Sequence, residues 1–481
     1  MVFSTHIFVF YFLPVVLLVY YVMPDRWRHA FLTLASYFFY GWTNPWFVFI
    51  MMFSTIVDYV CGLMVAGKWN PMGKADNPHD GNPASMKQRR LAVLISVVTN
   101  LSLLGFFKYF VFVQSNLNII LELFGEETLQ VMKIVLPTGI SFYTFQSMSY
   151  TIDVYRGEAE TAESLLDFAC YVSLFPQLIA GPIVRYRDVA SQLVNRDHTA
   201  EKFTTGVMLF IIGFAKKILL ANPMGEVADA AFGAGSLVWY DAWIGAMGYA
   251  FQIYFDFSGY SDMAVGLGLM LGFRFPINFD SPYRADSITD FWRRWHISLS
   301  TWLKDYLYIP LGGNRRGNIR TYINLFIVMF LGGFWHGAQW TFVIWGGIHG
   351  IMLAGERMMG RDSIYRRLPR IMRITITFLI ILVTWVFFRA ESLDQAMKYL
   401  GYMFGINRPY AGAELIGSII YSRDHVVMFI VCAIAVWFGR HSWKIVEKIT
   451  FAKVVVLILL FIIALFAMFT QSFNPFLYFQ F

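Results

Sequence analysis

The sequence is short of charge, of cysteine and of the signatures that many soluble enzymes carry. Only 14% of its 481 residues are Asp, Glu, Lys or Arg, against about 25% in soluble domains, which excludes an ordinary soluble globular protein. The three cysteines, Cys61, Cys170 and Cys432, each lie in an apolar stretch and make no C-x-x-C pair. Neither a disulfide framework nor a cysteine-based zinc site is therefore expected. There is no H-E-x-x-H and no compact His/Asp/Glu cluster at metal-ligand spacing, so no metal site is expected. Neither a G-x-S-x-G elbow nor a G-x-x-x-x-G-K-[ST] loop occurs, which removes two common nucleophile and phosphate devices. No internal repeat and no Pro/Gly/Ser linker divides the chain, and residues 1–481 read as a single integral membrane domain.

What is abundant is apolar and aromatic: 57% of residues are hydrophobic, with 48 Phe, 26 Tyr and 15 Trp. Runs of about 18 or more apolar residues read as membrane-crossing helices, and they recur from residues 5–23 to 452–470. The expected fold is all-α and polytopic, with about eleven to thirteen spans. The run at 30–43 is short for a crossing, and 237–273 has room for two segments. The first run has no basic leader and no small-residue cleavage site, which favours a retained span over a signal peptide. "PDRWRH" follows that run with two arginines, whereas no base precedes it, so the N-terminus is expected outside. The turn-rich stretch at 67–90, with Lys68, Lys74, Lys87, Arg89 and Arg90, reads as a cytoplasmic loop; "NLNIILELFGEETLQ", with three glutamates and no base, lies opposite. A net charge of +7 sits in short loops where topology and anionic lipid account for it, so nucleic acid is not an expected partner.

The middle third departs from plain spans. "YFDFSGYSDMAVGLGLMLGF" places Asp256 and Asp262 in an apolar run interrupted by Gly259, Gly266 and Gly268. These carboxylates either orient a histidine or arginine, or satisfy broken helix ends. In "ITDFWRRWHISLSTWLKDYLYIPLGGNRRG", Trp292, Trp295, Leu299 and Trp302 recur at spacings of three and four, which predicts an amphipathic helix at the interface or along a cavity. Residues 322–354 would make a helix of roughly 50 Å against a hydrocarbon core of about 30 Å. A break is expected at Gly332/Gly333 or Gly346/Gly347. Irregular backbone at membrane depth needs protein or a water-filled cavity to satisfy it, so a cavity is expected near His336.

An ionisable residue inside a span is a functional candidate, yet from position alone an inter-helix hydrogen bond explains His336 equally well. Flanking glycines that allow close approach favour chemistry. So does the echo between "WRRWHISLS", with His296 after Trp295, and "GGFWHGAQW", with His336 after Trp335. His349, thirteen residues on, lies about 220° around a continuous helix and reads as structural. His6, His29, His79, His198, His425 and His441 lie near span ends or in loops and carry no signal. A histidine in a dry cavity can act as general base on a hydroxyl attacking an activated acyl group, and a thioester donor needs no metal.

Five ordered stretches carry a resemblance: "LPTGISFYTFQSMSYTIDVYRG", "FPQLIAGPIVRY", "QIYFDFSGYSDMAVGLGLMLGF", "FWRRWHISLSTWLKDYLYIPLGGNRRG" and "GGFWHGAQWTFVIWGGIHG". Together they closely resemble the membrane-bound O-acyltransferase family, and within it the bacterial branch that serves alginate O-acetylation. The opening and closing segments are similar to that branch too. The resemblance implies broken or re-entrant helices around a central tunnel, with a catalytic core near residues 134–354. It implies acyl transfer from cytoplasmic acetyl-CoA to a hydroxyl reached from the other side of the membrane, with no bound cofactor.

In that reading His336 matches the family's essential histidine as general base, and His296 is a partner that positions substrate or polarises the thioester carbonyl. Trp335 and Trp295 would wall the tunnel. Coenzyme A phosphates need basic residues at the cytoplasmic mouth. Arg293, Arg294, Lys304, Arg315, Arg316 and Arg320 are the nearest in sequence, with positive-inside topology an equal explanation for each. Lys304 stands where relatives often have Arg, keeping a charge and weakening any bidentate contact. Asp256 is a further substrate-binding candidate. The implied function is O-acetylation of an exported, alginate-like polysaccharide at the bacterial cytoplasmic (inner) membrane, directly or through an extracytoplasmic relay protein. Acyl transfer to peptidoglycan, another cell-wall polymer or a secreted protein is the alternative. A multi-span transporter is the rival from another class, disfavoured by the missing inverted repeat.

Overall fold

A computed structural model describes residues 1–69, 84–360, 363–471 and 474. The expectations resting on Lys74 and His79, and most of the closing "SFNPFLYFQF", lie outside the described residues. All regular structure among the described residues is helical. The chain parts into two compact units: Met1–Phe203 with Leu267–Pro276, and Thr204–Gly266 with Ile277–Phe481.

The apolar runs do not map one-to-one onto membrane crossings. Among the described residues, five helices are long and apolar enough to span: Trp46–Val65, Met86–Leu123, Ala200–Gly233, Arg370–Arg389 and Phe451–Thr470. A sixth is possible if Ala413–Ile420 and Arg423–Trp437, bent by 68°, act together. The count falls below eleven to thirteen because several runs are short, broken or polar. The run at 165–183, for example, holds two helices of nine and four residues. Lys87, Arg89 and Arg90 are not in a loop; they ride the first turns of a helix that starts at Met86 behind the Ser85 cap.

In the first unit, α1 (Trp46–Val65), α2 (Met86–Leu104) and α3 (Ile140–Arg156) pack together. α3 is buried at fourteen of its seventeen positions. Both ends of α3 are set by glycines with left-handed backbone, Gly139 at φ 77° and Gly157 at φ 73°; a Cβ on Gly139 would also lie 2.6 Å from the Leu178 carbonyl oxygen. A polar knot ties the three helices. Asp58 on α1 accepts from Ser96 Oγ (2.5 Å) and Asn100 Nδ2 (2.7 Å) on α2, and from Ser147 Oγ on α3. Asn100 Oδ1 in turn accepts from Ser54 Oγ at 2.9 Å.

In the second unit, α4 (Ala200–Ala215) runs into a π-helical turn at Lys216–Ala221. α5 (Trp239–Met270) is one unbroken helix of 32 residues, about 48 Å long at ~1.5 Å per residue, rather than two segments. Its glycines do not interrupt it. A Cβ on Gly259 would meet the Gly213 carbonyl oxygen at 2.7 Å, and one on Gly266 the Gly206 carbonyl oxygen at 2.5 Å. They let α4 and α5 pack backbone against backbone, as small residues do between membrane helices.

The predicted amphipathic helix is broken into α6 (Ile288–Arg294) and α7 (Ile297–Leu303), followed by a π-turn at Lys304–Tyr308. The long run at 322–354 also breaks, but not at either glycine pair. α8 (Asn318–His336) and α9 (Trp340–Met359) meet at Gly337–Gln339. Gly333 and Gly346 serve the contact between them: a Cβ on Gly333 would lie 2.4 Å from the Phe342 carbonyl oxygen and 2.8 Å from Gly346 Cα. The glycine pairs are a packing seam, and the chain turns one step later. α10 (Arg370–Arg389) packs on α9.

Candidate active site

The break after α8 puts His336 at the end of that helix, 4% exposed, with Gly337 extended behind it. A Cβ at Gly337 would fall 2.2 Å from the Phe342 ring, so this turn needs glycine. Aromatic rings surround His336: Trp335 at 5.0 Å between centroids, Phe388 at 5.2 Å and Trp345 at 5.4 Å, the last at an interplanar angle of 89°.

His296 sits in the break between α6 and α7, outside the helices long enough to cross. Its φ of 46° is left-handed, a conformation that costs a residue with a side chain roughly 1–3 kcal/mol and persists only where surroundings fix it. Asn278 supplies the fixing. Its carbonyl oxygen accepts from the Ile297 N–H (3.0 Å), and its side-chain Oδ1 accepts from Ser298 N (3.2 Å) and Ser298 Oγ (2.6 Å). The strained turn aims the His296 ring at His336, 6.5 Å away between centroids, and against Phe257 at 4.7 Å. Burial pushes the His296 imidazole well below the usual histidine range, so it is a neutral ring near pH 7. The structure thus brings together two histidines forty residues apart. Asn278, which holds one of them, has no signal in the sequence beyond being a polar residue near an apolar run.

Next to His336 lies a cavity of about 140 Å³, walled by Trp292, Leu299, Leu303, Met329, Gly332 and Trp345, with Ser300 and Val328 completing it. The tryptophans in its wall are Trp292 and Trp345. Trp335, 6% exposed, packs on both histidines. Trp295 is instead held in an aromatic cluster with Phe291, Phe279 and Trp385 at 5.0–5.5 Å. His349 links Trp292 to α10: its Nδ1 accepts the Trp292 indole N–H at 3.2 Å, which leaves Nε2 protonated to donate to Thr384 Oγ1 at 3.2 Å.

The acidic and basic candidates lie elsewhere. Asp256, 1% exposed, pairs with the equally buried Lys217 at 2.8 Å. Asp262 accepts from Lys216 at 2.7 Å and Ser442 Oγ at 2.6 Å. Both carboxylates on α5 thus hold lysines of the π-turn, a use that their sequence neighbourhood does not reveal. Arg294 is held by Asp290 at 2.9 Å and by the Asp280 carbonyl oxygen at 3.2 Å. Arg293, Lys304, Arg315 and Arg316 are exposed. Of the other histidines, His29 pairs with Asp167, His198 with Tyr20, His425 with Glu226 and His441 with Asp280.

A buried imidazole facing a small, largely apolar chamber can take a proton from a hydroxyl and stabilise little else. That is the requirement of acyl transfer to oxygen, where the nucleophile needs deprotonation and the acyl group needs shelter from water. Comparison with known proteins points the same way. The membrane-bound O-acyltransferase family profile matches residues 158–390, a range that includes both histidines. The chain is 43% identical over 501 aligned residues to the probable alginate O-acetylase AlgI of Pseudomonas putida, covering 100% of each. It is 47% identical over 404 residues to the protein of the same name from Pseudomonas aeruginosa, covering 84% of this chain and 75% of that one. The peptidoglycan O-acetyltransferase of Helicobacter pylori is 39% identical over 446 residues, covering 85% of this chain and 80% of its own. With its helical, multi-pass build and a histidine chamber inside the matched region, the chain belongs to the membrane-bound O-acyltransferase family and is an O-acyltransferase.

Proposed function

We propose that this protein moves an acetyl group from acetyl-CoA on the cytoplasmic side to a hydroxyl of an exported, alginate-like polysaccharide, directly or through an extracytoplasmic partner that relays it. The observation that carries the reading is His336 on the wall of a cavity of about 140 Å³. Its mostly apolar wall suits the acyl end of a donor. The full-length likeness to probable alginate O-acetylases supports the polysaccharide acceptor. His336 takes the proton of the attacking hydroxyl as the new ester C–O bond forms, and returns it to the departing coenzyme A thiolate. His296, neutral and fixed by its strained turn, positions the reacting groups.

The exposed Arg293, Lys304, Arg315 and Arg316 are the proposed contacts for coenzyme A phosphates, whereas the carboxylate partners of Arg294 favour a structural role for it. The basic flank after the first apolar helix supports an N-terminus outside a bacterial inner membrane. The peptidoglycan O-acetyltransferase among the relatives makes peptidoglycan the second acceptor to test.

The test supplies labelled acetyl-CoA to the cytoplasmic face of membranes bearing wild-type or His336→Ala protein, with separate polysaccharide, peptidoglycan and periplasmic-protein fractions as acceptors. Label entering polysaccharide, and absent with a stably expressed His336→Ala protein, is the expected result. Label entering peptidoglycan alone moves the acceptor to the second reading. Equal transfer by wild type and variant removes His336 from the mechanism.

A further inference from the structure

We propose that the first unit carries a second binding site, a pocket that takes the primary-ammonium headgroup of a zwitterionic aminophospholipid. The pocket lies wholly within residues 1–203 and has a volume of about 470 Å³. Three elements supply its wall: the start of the helix Asp25–Gly41, the turn leading into the helix Leu165–Ser173 with that helix's first residues, and the helix Tyr186–Val194. Arg26 and His29 come from the first, Glu160, Glu163 and Asp167 from the second, and Tyr186 from the third. None of them belongs to the chamber beside His336, and the inference stands apart from the acyl-transfer reading.

Some of these groups are already paired and others are not. Asp167 accepts from His29 Nδ1 and from Ser164 Oγ (2.6 Å), one on each oxygen. Among the described residues, Glu160 and Glu163 have no cation partner and Arg26 has no carboxylate; the Arg26 guanidinium lies 6.0 Å from the Trp27 ring. Two unpaired carboxylates and an unpaired guanidinium thus line one cavity without meeting each other. Charges of both signs held apart fit a zwitterion that bridges them, with its ammonium on the glutamates and its phosphate on the arginine.

The innermost group points to the same ligand. Tyr186 is 4% exposed, and its ring is fixed edge-on against Tyr150 at 4.7 Å and Tyr171 at 5.3 Å. Its hydroxyl has no hydrogen-bond partner among the described residues, yet it is not one of the buried polar atoms sealed from the surface. Since Tyr186 lines the cavity, that hydroxyl opens into it. Burial pushes the phenol up, and Asp167, Glu163 and Glu160 push it further, so it stays neutral in the field of the cavity's own carboxylates. A neutral phenol oxygen beside two glutamates makes three acceptors, and a primary ammonium has three N–H donors to match them. A trimethylammonium has no N–H to give, and a glycerol headgroup has no cation. The rim says where the ligand comes from. Trp27, Leu165, Leu166 and Val194 are exposed beside or within the pocket wall, and the apolar helix Phe8–Val22 ends three residues before Asp25. A tryptophan and other apolar side chains next to charge mark the level where headgroups meet hydrocarbon, which favours a lipid over a basic peptide.

The test places the full-length protein in nanodiscs of equal parts phosphatidylethanolamine, phosphatidylcholine and phosphatidylglycerol, and native mass spectrometry identifies the lipids it keeps on release. Retention of phosphatidylethanolamine over phosphatidylglycerol by roughly tenfold, the scale of one charge-assisted hydrogen bond, is expected, with phosphatidylcholine between them. Glu160→Gln together with Glu163→Gln alters exposed, unpaired side chains and should leave the fold intact; the preference is expected to vanish. Tyr186→Phe is expected to reduce it several-fold, and the glutamine pair decides the matter if that variant fails to accumulate. Equal retention of the three lipids by wild type overturns the proposal, as does an ethanolamine preference that survives the glutamine pair. A wild-type protein that shows no lipid preference but binds a tetralysine peptide, with that binding lost in the glutamine pair, also overturns it and gives the pocket to a basic protein segment.

Discussion

Two places in the molecule bury polar groups in apolar surroundings, and they do it in opposite ways. At Asp58, in the first unit, three donors from two neighbouring helices converge on one carboxylate. Each oxygen has a partner, and a fourth polar side chain, Ser54, closes the set. At His336, in the second unit, the imidazole is faced by tryptophan and phenylalanine rings and by a cavity. The carboxylate knot is complete as it stands; the histidine chamber has room for a reactant. An ionisable residue at membrane depth is a candidate for function by default, and the contrast shows how to divide the candidates. Groups whose partners come from the protein hold helices together, as Asp58, Asp256 and Asp262 do. Groups that line a space handle what enters it.

Exchanging the two losses would break that division. His336→Ala is expected to lower acyl transfer on the order of 10²–10⁴-fold, the usual worth of a positioned general base, with the melting temperature in detergent nearly unchanged. Asp58→Ala is expected to do the reverse. It strands the Ser96, Asn100 and Ser147 donors, at about 1–3 kcal/mol for each that stays unmet, so melting temperature and yield fall while the folded fraction keeps its kcat. Loss of fold at His336, or loss of kcat without loss of fold at Asp58, would refute the distinction.

A neighbouring pair of glycines sharpens it at single-methyl resolution. Gly333→Ala drives a methyl into the Phe342 carbonyl and Gly346, an overpacking expected to cost about 1–3 kcal/mol of stability. Gly332→Ala meets nothing nearer than Leu303 Cδ1 at 3.4 Å and should fold normally. Because Gly332 lines the cavity, its methyl should instead lower the use of propionyl-CoA relative to acetyl-CoA by roughly tenfold, the scale of one methylene in an apolar pocket. Competition between the two donors, read by mass spectrometry of the product, measures the shift.

Much of this was legible in the sequence, in uneven measure. The helical membrane class followed from apolar runs alone, and the two tryptophan-histidine echoes marked the pair that the structure brings to 6.5 Å. Glycine misled. In one dimension Gly259, Gly266, Gly333 and Gly346 look like helix breakers, whereas each stands where another helix's backbone approaches too closely for a Cβ. Periodicity misled at 288–303 as well, because spacings of three and four persist across a kink. The kink is set by Asn278, eighteen residues before His296, through hydrogen bonds that no pattern encodes. Asp58 and the lysine partners of Asp256 and Asp262 were hidden for the same reason: pairing across helices is a property of packing.

The smallest effects are expected at the basic residues, where the same division applies to charge near the surface. Arg294 is gripped by Asp290 and by the Asp280 backbone, so Arg294→Ala should cost stability through lost hydrogen bonds and leave KM for acetyl-CoA nearly as it was. Arg315 and Arg316 are exposed on a turn that three glycines with positive φ, Gly312, Gly313 and Gly317, hold open. Substituting them should change stability by less than about 0.5 kcal/mol. If they meet the phosphates of coenzyme A, Arg315→Ala with Arg316→Ala raises KM several-fold with kcat unchanged, the mark of binding felt equally by ground and transition states. The increase should shrink at high salt, because exposed charges are screened beyond about 10 Å at 0.1 M. An unchanged KM at low salt assigns these arginines to topology alone, and a raised KM in Arg294→Ala would show that a charge with protein partners can still serve the substrate.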